Sequence, residues 1–481
     1  MTGLRIMWRA IQLVFVLVAM FWAWLYSQSG VRKLVWRTFR RSRPYEPLEN
    51  PRILRRTFER LGPSFIKLGQ VIASSPGLFP KRYSDEFQYC LDRVKPFPVP
   101  ELKATVEREL GKPIADLFAS FDNVPLGSAS IAQVHAATLA APAQGLSTEV
   151  VVKVQRPGIR SKVDADVWWM RRGAWIAEKL FKGARLANVR GVIEDFDRTI
   201  HEEIDFKREG ENLDEFNLLM GKYGVSDVMA PAPIPGMVTC TVLVMTRFHG
   251  YKADDREGIL GAGIDPEVYL RKGLRAWLMT VVLDGYFHGD AHAGNLMMLP
   301  FGATLADGKK GPAIGLLDFG IIGRFNSRQR HQVLRYVLSF TAQDYQALAE
   351  IMIEIGAIEQ DIDRTRLVAD LERVYSPLIE KNLADIKYEE ILPEITALAY
   401  RYGIRLPSEF LLILKQLLFF DRYAKLMAPN LNVFSDWHLV DFLFGPLAVK
   451  AGLDFNVLFP LLQRVQKKFA DKGVQMFGAT G

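Results

Sequence analysis

The stretch FHGDAHAGN, residues 287–295, brings His288, Asp290, His292 and Asn295 close together in the chain, and LLDFG at 316–320 adds a second carboxylate, Asp318. Two chemistries fit these residue types. His288, Asp290 and His292 alternate along the chain and can ligate a metal, as in a hydrolase. Alternatively, His288-x-Asp290 with Asn295 five positions after the aspartate has the spacing of a phosphoryl-transfer loop. In that chemistry Asp290 lies near the attacking oxygen, while Asn295 and Asp318 hold Mg2+ on the phosphates of a nucleotide. Magnesium takes hard oxygen ligands and few of them from protein, which an Asn–Asp pair supplies. Phosphoryl transfer explains more residues with one idea, because a strand hairpin and then Asp318-Phe319-Gly320 follow in the order it needs.

The same chemistry needs a cation on the phosphates. Lys153 lies in VVVKV, an otherwise apolar strand, and a buried ammonium must be paired. Its candidate partners lie in HEEIDFKREGEN, residues 201–212. On a continuous helix Asp205 and Glu209 share a face at i, i+4, with Glu202 joining them at i, i+7. Glu203 then points about 120° away from Glu209, so one helix can offer Glu209 to Lys153 and Glu203 to something else.

These residues need elements to hold them. Apolar positions at helical spacing (Leu54, Phe58, Leu61, Phe65, Leu68, Ile72) predict a helical stretch over 51–75, with further helices at 83–93 and 101–110. From about 117 the period becomes two, and SIAQVHAATL (130–139) and TEVVVKVQ (148–155) read as paired strands. A long helical region over 159–222 precedes a strand at 239–248. Residues 268–287 read as helical, 296–299 and 313–318 as short strands, and the chain from 326 onward as helical. This order predicts an α+β fold of two lobes with a cleft between them.

Before Lys153, PLGSASIAQVH (125–135) reads as strand, tight turn and strand, where a phosphate loop belongs. It has a single glycine, Gly127. Ala129 and Ala132 restrict φ and add methyl groups, while Ser128, Ser130 and backbone amides remain as donors. The expectation is a phosphate loop with altered nucleotide pose, ADP favoured and phosphoryl transfer restrained.

The chain has 481 residues, 61 Lys and Arg against 54 Asp and Glu, and a formal charge of +7. That length predicts two or three structural units. Cys90 and Cys240, the only cysteines, exclude a disulfide framework and a cysteine zinc site, and fit a reducing compartment. AIQLVFVLVAMFWAWLY, residues 10–26, spans roughly 25 Å as a helix, just short of a ~30 Å hydrocarbon core. Ile6, Met7 and Trp8 extend the span if Arg9 snorkels. The basic run RKLVWRTFRRSR (32–43) favours anionic lipid over nucleic acid as a partner. It also favours an uncleaved anchor, with the body on the cytoplasmic or matrix-like side, over a signal peptide cut after SQS (27–29).

Taken together, several motifs resemble the UbiB/AarF atypical kinase-like family, linked to ubiquinone and other isoprenoid-lipid metabolism. FIKLGQ (65–70) resembles its KxGQ motif, through Lys67, Gly69 and Gln70. GSASIAQVH resembles its alanine-rich nucleotide loop, through Gly127, Ser128, Ala129, Ser130 and Ala132. EIDFKREGEN resembles its ExD motif, Glu203 and Asp205, followed by the lysine-pairing Glu209; HGDAHAGN, DFG and a late helical segment (406–429) also match. The likeness spans roughly residues 50–430. Departures are Gly289, Ala291 and Ala293 where prolines are frequent, and Thr246 where an acid is common.

The resemblance implies a two-lobed protein-kinase-like fold, an added helical KxGQ extension and an N-terminal transmembrane helix. The segments are an anchor (1–30), basic linker (31–50), extension (51–116), N-lobe with helical insert (117–250), C-lobe (251–430) and helical tail (431–481). KxGQ helices are expected to fold over the nucleotide cleft, with Lys67 meeting the Glu203/Asp205 pair. Catalytic roles fall to Asp290, Lys153 and Glu209, nucleotide contacts to the loop, Lys153 and Met245, and Mg2+ to Asn295 and Asp318. ATP or ADP with Mg2+ is the implied cofactor. Isoprenoid or quinone precursors and their biosynthetic enzymes are implied partners. With no APE motif and no long segment after Gly320, the expected acceptor is water or a small or lipid-like molecule, not protein. The alternative is a catalytically weak pseudokinase that scaffolds biosynthetic enzymes.

Overall fold

The computed structural model describes residues 2–28, 50–73, 81–90, 95–142, 146–186, 188–290, 293–304, 310–358, 361–379, 381–382, 385, 388–404, 410, 413, 416, 425, 427–433, 436–453 and 455–471. The basic run, His292 and most of 406–429 lie outside them. Two compact units divide the chain: Met1–Gly210 with Pro233–Arg247, and Glu211–Ala232 with Phe248–Gly481. Residues 211–232, within the 117–250 segment of the sequence reading, thus belong to the second unit.

The apolar N-terminal run is helix α1 (Thr2–Gln28), whose segment Ile6–Tyr26 is long and apolar enough to cross a membrane by length and composition. Its large side chains, Phe15 and Trp22 among them, are largely exposed. Arg9 does not snorkel. It is buried, paired with Asp166, and donates to the Leu61 carbonyl at 2.6 Å. A guanidinium held by a buried carboxylate is not available to a headgroup, so the expected snorkelling of Arg9 is corrected, while the apolar segment still includes Ile6, Met7 and Trp8. Ser64 also donates to Asp166 at 2.6 Å, and the Trp169 indole donates to the Ile6 carbonyl at 3.1 Å.

The expected helical stretch over 51–75 is two helices, α2 (Asn50–Leu61) and α3 (Pro63–Ala73). Gly62 separates them at φ +99°, which L side chains rarely adopt, and Pro63 has no N–H to continue the ladder. Helices α4 (Lys81–Phe87), α5 (Val99–Leu110) and α6 (Ile114–Leu117) follow.

The first unit's sheet is antiparallel throughout. Its order is β1 (Phe118–Phe121), β3 (Ala132–Leu139), β4 (Glu149–Gln155), β7 (Val242–Thr246), β6 (Pro233–Val238), with β2 (Gly127–Ser128) also on β3. Central β4 uses the two-residue period to sort its side chains. Val150, Val152 and Val154 are fully buried in one core with Leu102 and Val106 of α5, each contributing about 1.5–3 kcal/mol. Lys153 therefore faces the other side of the sheet.

The helical region over 159–222 is four helices: α7 (Ile159–Leu180), α8 (Lys182–Leu186), α9 (Val189–Glu203) and α10 (Phe206–Tyr223). Glu203 and Glu209 therefore do not share one helix, as the sequence reading assumed. The chain leaves helical geometry at Ile204 (φ −90°, ψ 17°), and the Asp205 carboxylate accepts the Lys207 N–H at 3.2 Å, capping α10. Burial of Ile204 and Phe206, each 1% exposed, fixes the break.

In the second unit β5 (Val228–Met229), β11 (Lys310–Leu316), β10 (Leu296–Thr304) and β8 (Tyr251–Lys252) form one sheet, in that order. Helices α11 (Arg256–Gly261) and α12 (Pro266–Met279) lead into a single π-helical stretch, Thr280–Asp284. The expected helix over 268–287 ends there, and β9 (Tyr286–His288) pairs instead with β12 (Ile322–Arg324). Helices α13 (Ser327–Ala342), α14 (Tyr345–Glu354), α15 (Arg364–Ile379), α16 (Tyr388–Tyr402), α17 (Pro446–Lys450) and α18 (Phe455–Asp471) complete the described chain.

Candidate functional site

In the first unit the Lys153 ammonium donates to both oxygens of Glu209, at 2.6 and 2.8 Å. It also lies 5.0 Å from the centre of the Phe206 ring. The Glu209 side chain is 1% exposed and that of Lys153 14%. A carboxylate so buried is stable as an anion only because the cation is in place. The lysine keeps enough exposure to meet a phosphate.

Lys67, on α3, pairs with Glu203 at the end of α9. Asp205 does not join them. Its carboxylate caps α10, so the expected Glu203/Asp205 clamp on Lys67 is corrected to one without Asp205. Gly69 of the KxGQ motif is a packing residue. A Cβ there would lie 2.8 Å from the Phe87 ring and 3.1 Å from Cys90 Sγ. Gln70 is half-buried and makes no side-chain hydrogen bond among the described residues.

The alanine-rich loop is closed on itself. The Ala129 N–H donates to the Ala132 carbonyl at 2.8 Å. Arg156 donates to the Ala129 carbonyl at 3.0 Å and to the Ser128 hydroxyl oxygen at 2.9 Å. Ser130 is fully buried and Ala132 is 4% exposed, so neither presents its side chain to a phosphate. The expected side-chain contacts of those two are corrected: the turn buries Ser130, and the first position of β3 buries Ala132. Gly127, Ser128 and Ala129 remain accessible. Met245 is buried in β7, paired in register with Val151. Arg156 was missed from sequence; the cue was an arginine directly after the lysine strand.

In the second unit His288 organises the backbone around Asp290 and Asp318. Its Nε2 donates to the Asp318 carbonyl, and its Nδ1 accepts the Asp290 N–H at 3.0 Å. A carbonyl only accepts and an amide N–H only donates, so the imidazole is neutral with its proton on Nε2. Both ring nitrogens are thereby used and none is left for a metal. Among the described residues no cluster of three or more His, Cys, Asp or Glu can hold an ion. The hydrolase alternative loses its first ligand on that geometry.

The Asn295 amide donates to the Asp290 carbonyl at 3.0 Å, which identifies its nitrogen end and leaves Oδ1 as the ligand atom. Asp318 Oδ1 accepts the Gly320 N–H at 3.0 Å. Asn295 and Asp318 thus offer the hard oxygen set that Mg2+ takes. Phe319 is fully buried against His288 and Phe216, and its carbonyl accepts from Asn212 at 3.0 Å. Gln416 donates to the Gly289 carbonyl from a stretch far along the chain. Sequence reasoning missed Asn212 and Gln416, which carry no local motif. After Gly320 only residues 321–326 precede α13, and β12 occupies part of them.

The family model described as ABC1 atypical kinase-like domain matches residues 89–352, and that described as UbiB helical domain matches 371–432. A Xanthomonas oryzae protein named probable protein kinase UbiB is 32% identical, over 83% of this chain and 72% of its own. An Arabidopsis thaliana chloroplastic protein, named an uncharacterized aarF domain-containing protein kinase, is 34% identical, over 81% of this chain and 74% of its own. An uncharacterized Mycobacterium tuberculosis protein is 38% identical, over 81% and 77%. A solved M. tuberculosis structure, of a protein in complex with erythromycin, aligns with TM-score 0.50 at 22% identity, covering 77% of this chain and 93% of that one. That likeness bears on fold alone. The two family models, the relatives and the matching order of motifs establish that this chain belongs to the ABC1/UbiB atypical kinase-like family.

Proposed function

We propose that this chain is a membrane-anchored atypical kinase or ATPase that binds Mg-nucleotide and either hydrolyses ATP or phosphorylates a small or lipid-like molecule, in support of isoprenoid-quinone metabolism. The observation that carries the reading is the closed Lys153–Glu209 pair. Lys153 neutralises nucleotide phosphates, and Glu209 holds it in position. Asn295 and Asp318 would hold Mg2+, which supplies charge neutralisation on the phosphates when bound. Asp290 orients the attacking hydroxyl or water and takes its proton. The short 321–326 segment offers no peptide platform, which favours a small acceptor over protein. The quinone assignment draws on the UbiB name of relatives, and the anchor on the apolar segment of α1.

Full-length protein in detergent micelles tests this. Saturating Mg-ATP at about 100 times Kd is expected to stabilise the fold by about 2.7 kcal/mol. Asp318→Asn is expected to lose the Mg-dependent part of that stabilisation, as read by a thermal shift with and without EDTA. An unshifted wild type overturns nucleotide binding, and vigorous phosphorylation of unrelated proteins overturns the acceptor class.

The scaffold alternative draws on the loop, because Arg156 and the Ala129–Ala132 bond hold it away from the open form of a glycine loop. Ala129→Gly relaxes that restriction and is expected to change ATP affinity about fivefold, near 1 kcal/mol, by calorimetric titration. An unchanged Kd assigns the loop a purely structural part.

A further inference from the structure

The C-terminal half of α7 carries a surface that the nucleotide chemistry does not use. Trp168, Arg172, Trp175 and Lys179 recur at helical spacing on one face. The Arg172 guanidinium lies 4.3 Å from the centre of the Trp168 ring, and the Lys179 ammonium 5.1 Å from that of Trp175. Beside this ladder Trp175, Ile176, Leu180 and Phe181 are exposed, the last two at 68% and 63%. A groove of about 550 Å³ opens next to them, lined by Arg171, Arg172, Ala174, Trp175, Arg190 and Glu194. Arg171 is paired with Asp197, whereas the Arg172 and Arg190 guanidinium groups meet no carboxylate among the described residues.

Residues 168–190 hold six Lys and Arg against Glu178 alone. Large apolar side chains at the end of α7 and, beside them, guanidinium groups of α7 and α9 that meet no carboxylate among the described residues demand opposite environments. The headgroup–acyl boundary of an anionic bilayer supplies both. A guanidinium lying on an indole face keeps its in-plane N–H donors for phosphate oxygens. A second copy of this chain would bring the same cations against each other. The N-terminal half of the same α7 holds α1, through Asp166 and Trp169.

We propose that the end of α7, with α8, is a second membrane-contact surface that seats on anionic phospholipid. Trp175, Ile176, Leu180 and Phe181 enter the boundary layer, and Arg172 and Arg190 take lipid phosphates. It deepens the membrane part of the proposed function and is independent of nucleotide binding.

The test is hydrogen–deuterium exchange of the full chain in nanodiscs of phosphatidylcholine alone or mixed with phosphatidylglycerol, with peptides from 168–190 and from α1 read separately. Exchange in 168–190 is expected to slow about tenfold when phosphatidylglycerol is present. Arg172→Gln with Arg190→Gln should abolish that lipid dependence, and Leu180→Ser with Phe181→Ser should abolish the protection. Both variants should keep wild-type Mg-ATP binding and melting temperature. Equal exchange in the two disc types overturns the proposal. So does equal protection by inorganic phosphate without lipid, or protection that appears only with a doubled particle mass. Protection of 168–190 with α1 unprotected supports this surface while removing the anchor.

Discussion

Lys153→Met is expected to lower the unfolding free energy by about 3–5 kcal/mol, because it strands the Glu209 carboxylate, 1% exposed, without a cation. The loss should exceed what the lysine's own packing supplies. Replacing both partners, Lys153→Met with Glu209→Leu, removes the orphaned charge along with the cation. That double variant is expected to regain most of the stability, since apolar pairs of similar volume replace buried ion pairs at little cost. Nucleotide binding should not return with it, because the phosphates lose their cation in both variants. Urea denaturation followed by tryptophan fluorescence, with ATP titration alongside, reads the two quantities separately. A single variant within about 1 kcal/mol of wild type contradicts a buried pair and sits instead in the range of exposed ones. A double variant that binds Mg-ATP normally contradicts the role given to Lys153.

Asp166→Ala is expected to cost a similar amount, about 3–5 kcal/mol, through a different part of the molecule. Asp166 is fully buried and accepts from Arg9 and Ser64. Its removal leaves the Arg9 guanidinium buried with the Leu61 carbonyl and Gln12 as remaining partners. Arg9 belongs to α1 and Ser64 to the helix bearing Lys67, so the change loosens α1 and reaches the KxGQ helix. Arg9→Met with Asp166→Leu should recover stability, as for the lysine pair. Chemical denaturation in detergent measures the cost, and faster proteolysis near α1 marks its release. A loss below about 1 kcal/mol means that the pair contributes no more than an exposed one.

Much of the chemistry was determined by the sequence itself. The spacing of His288, Asp290 and Asn295, with Asp318 in the turn that follows, was legible as the pattern of a phosphoryl-transfer loop. The two-residue period of β4 fixes which face Lys153 takes, and the valines at alternate positions leave it no other. The candidacy of Glu209 for Lys153 was likewise legible, though for an incomplete reason, whereas Lys67 meeting Glu203 was implied by the family resemblance, which placed Asp205 there too. A continuous helix was assumed, whereas the chain turns at Ile204 and Asp205, where buried Ile204 and Phe206 override local helix propensity.

Only the tertiary structure decided the rest, and the physical reason is separation along the chain. Arg156 reaches Ala129 across 27 positions, Gln416 reaches Gly289 across 127, and Arg9 reaches Asp166 across 157. No local period or motif encodes such a meeting, because each partner is an ordinary polar residue until folding buries it beside the other. His288 shows the same division in one side chain. Its spacing from Asp290 fitted both a metal ligand and a phosphoryl-transfer loop, the second explaining more of the neighbouring residues. Two hydrogen bonds, one from each ring nitrogen, assign it to the loop.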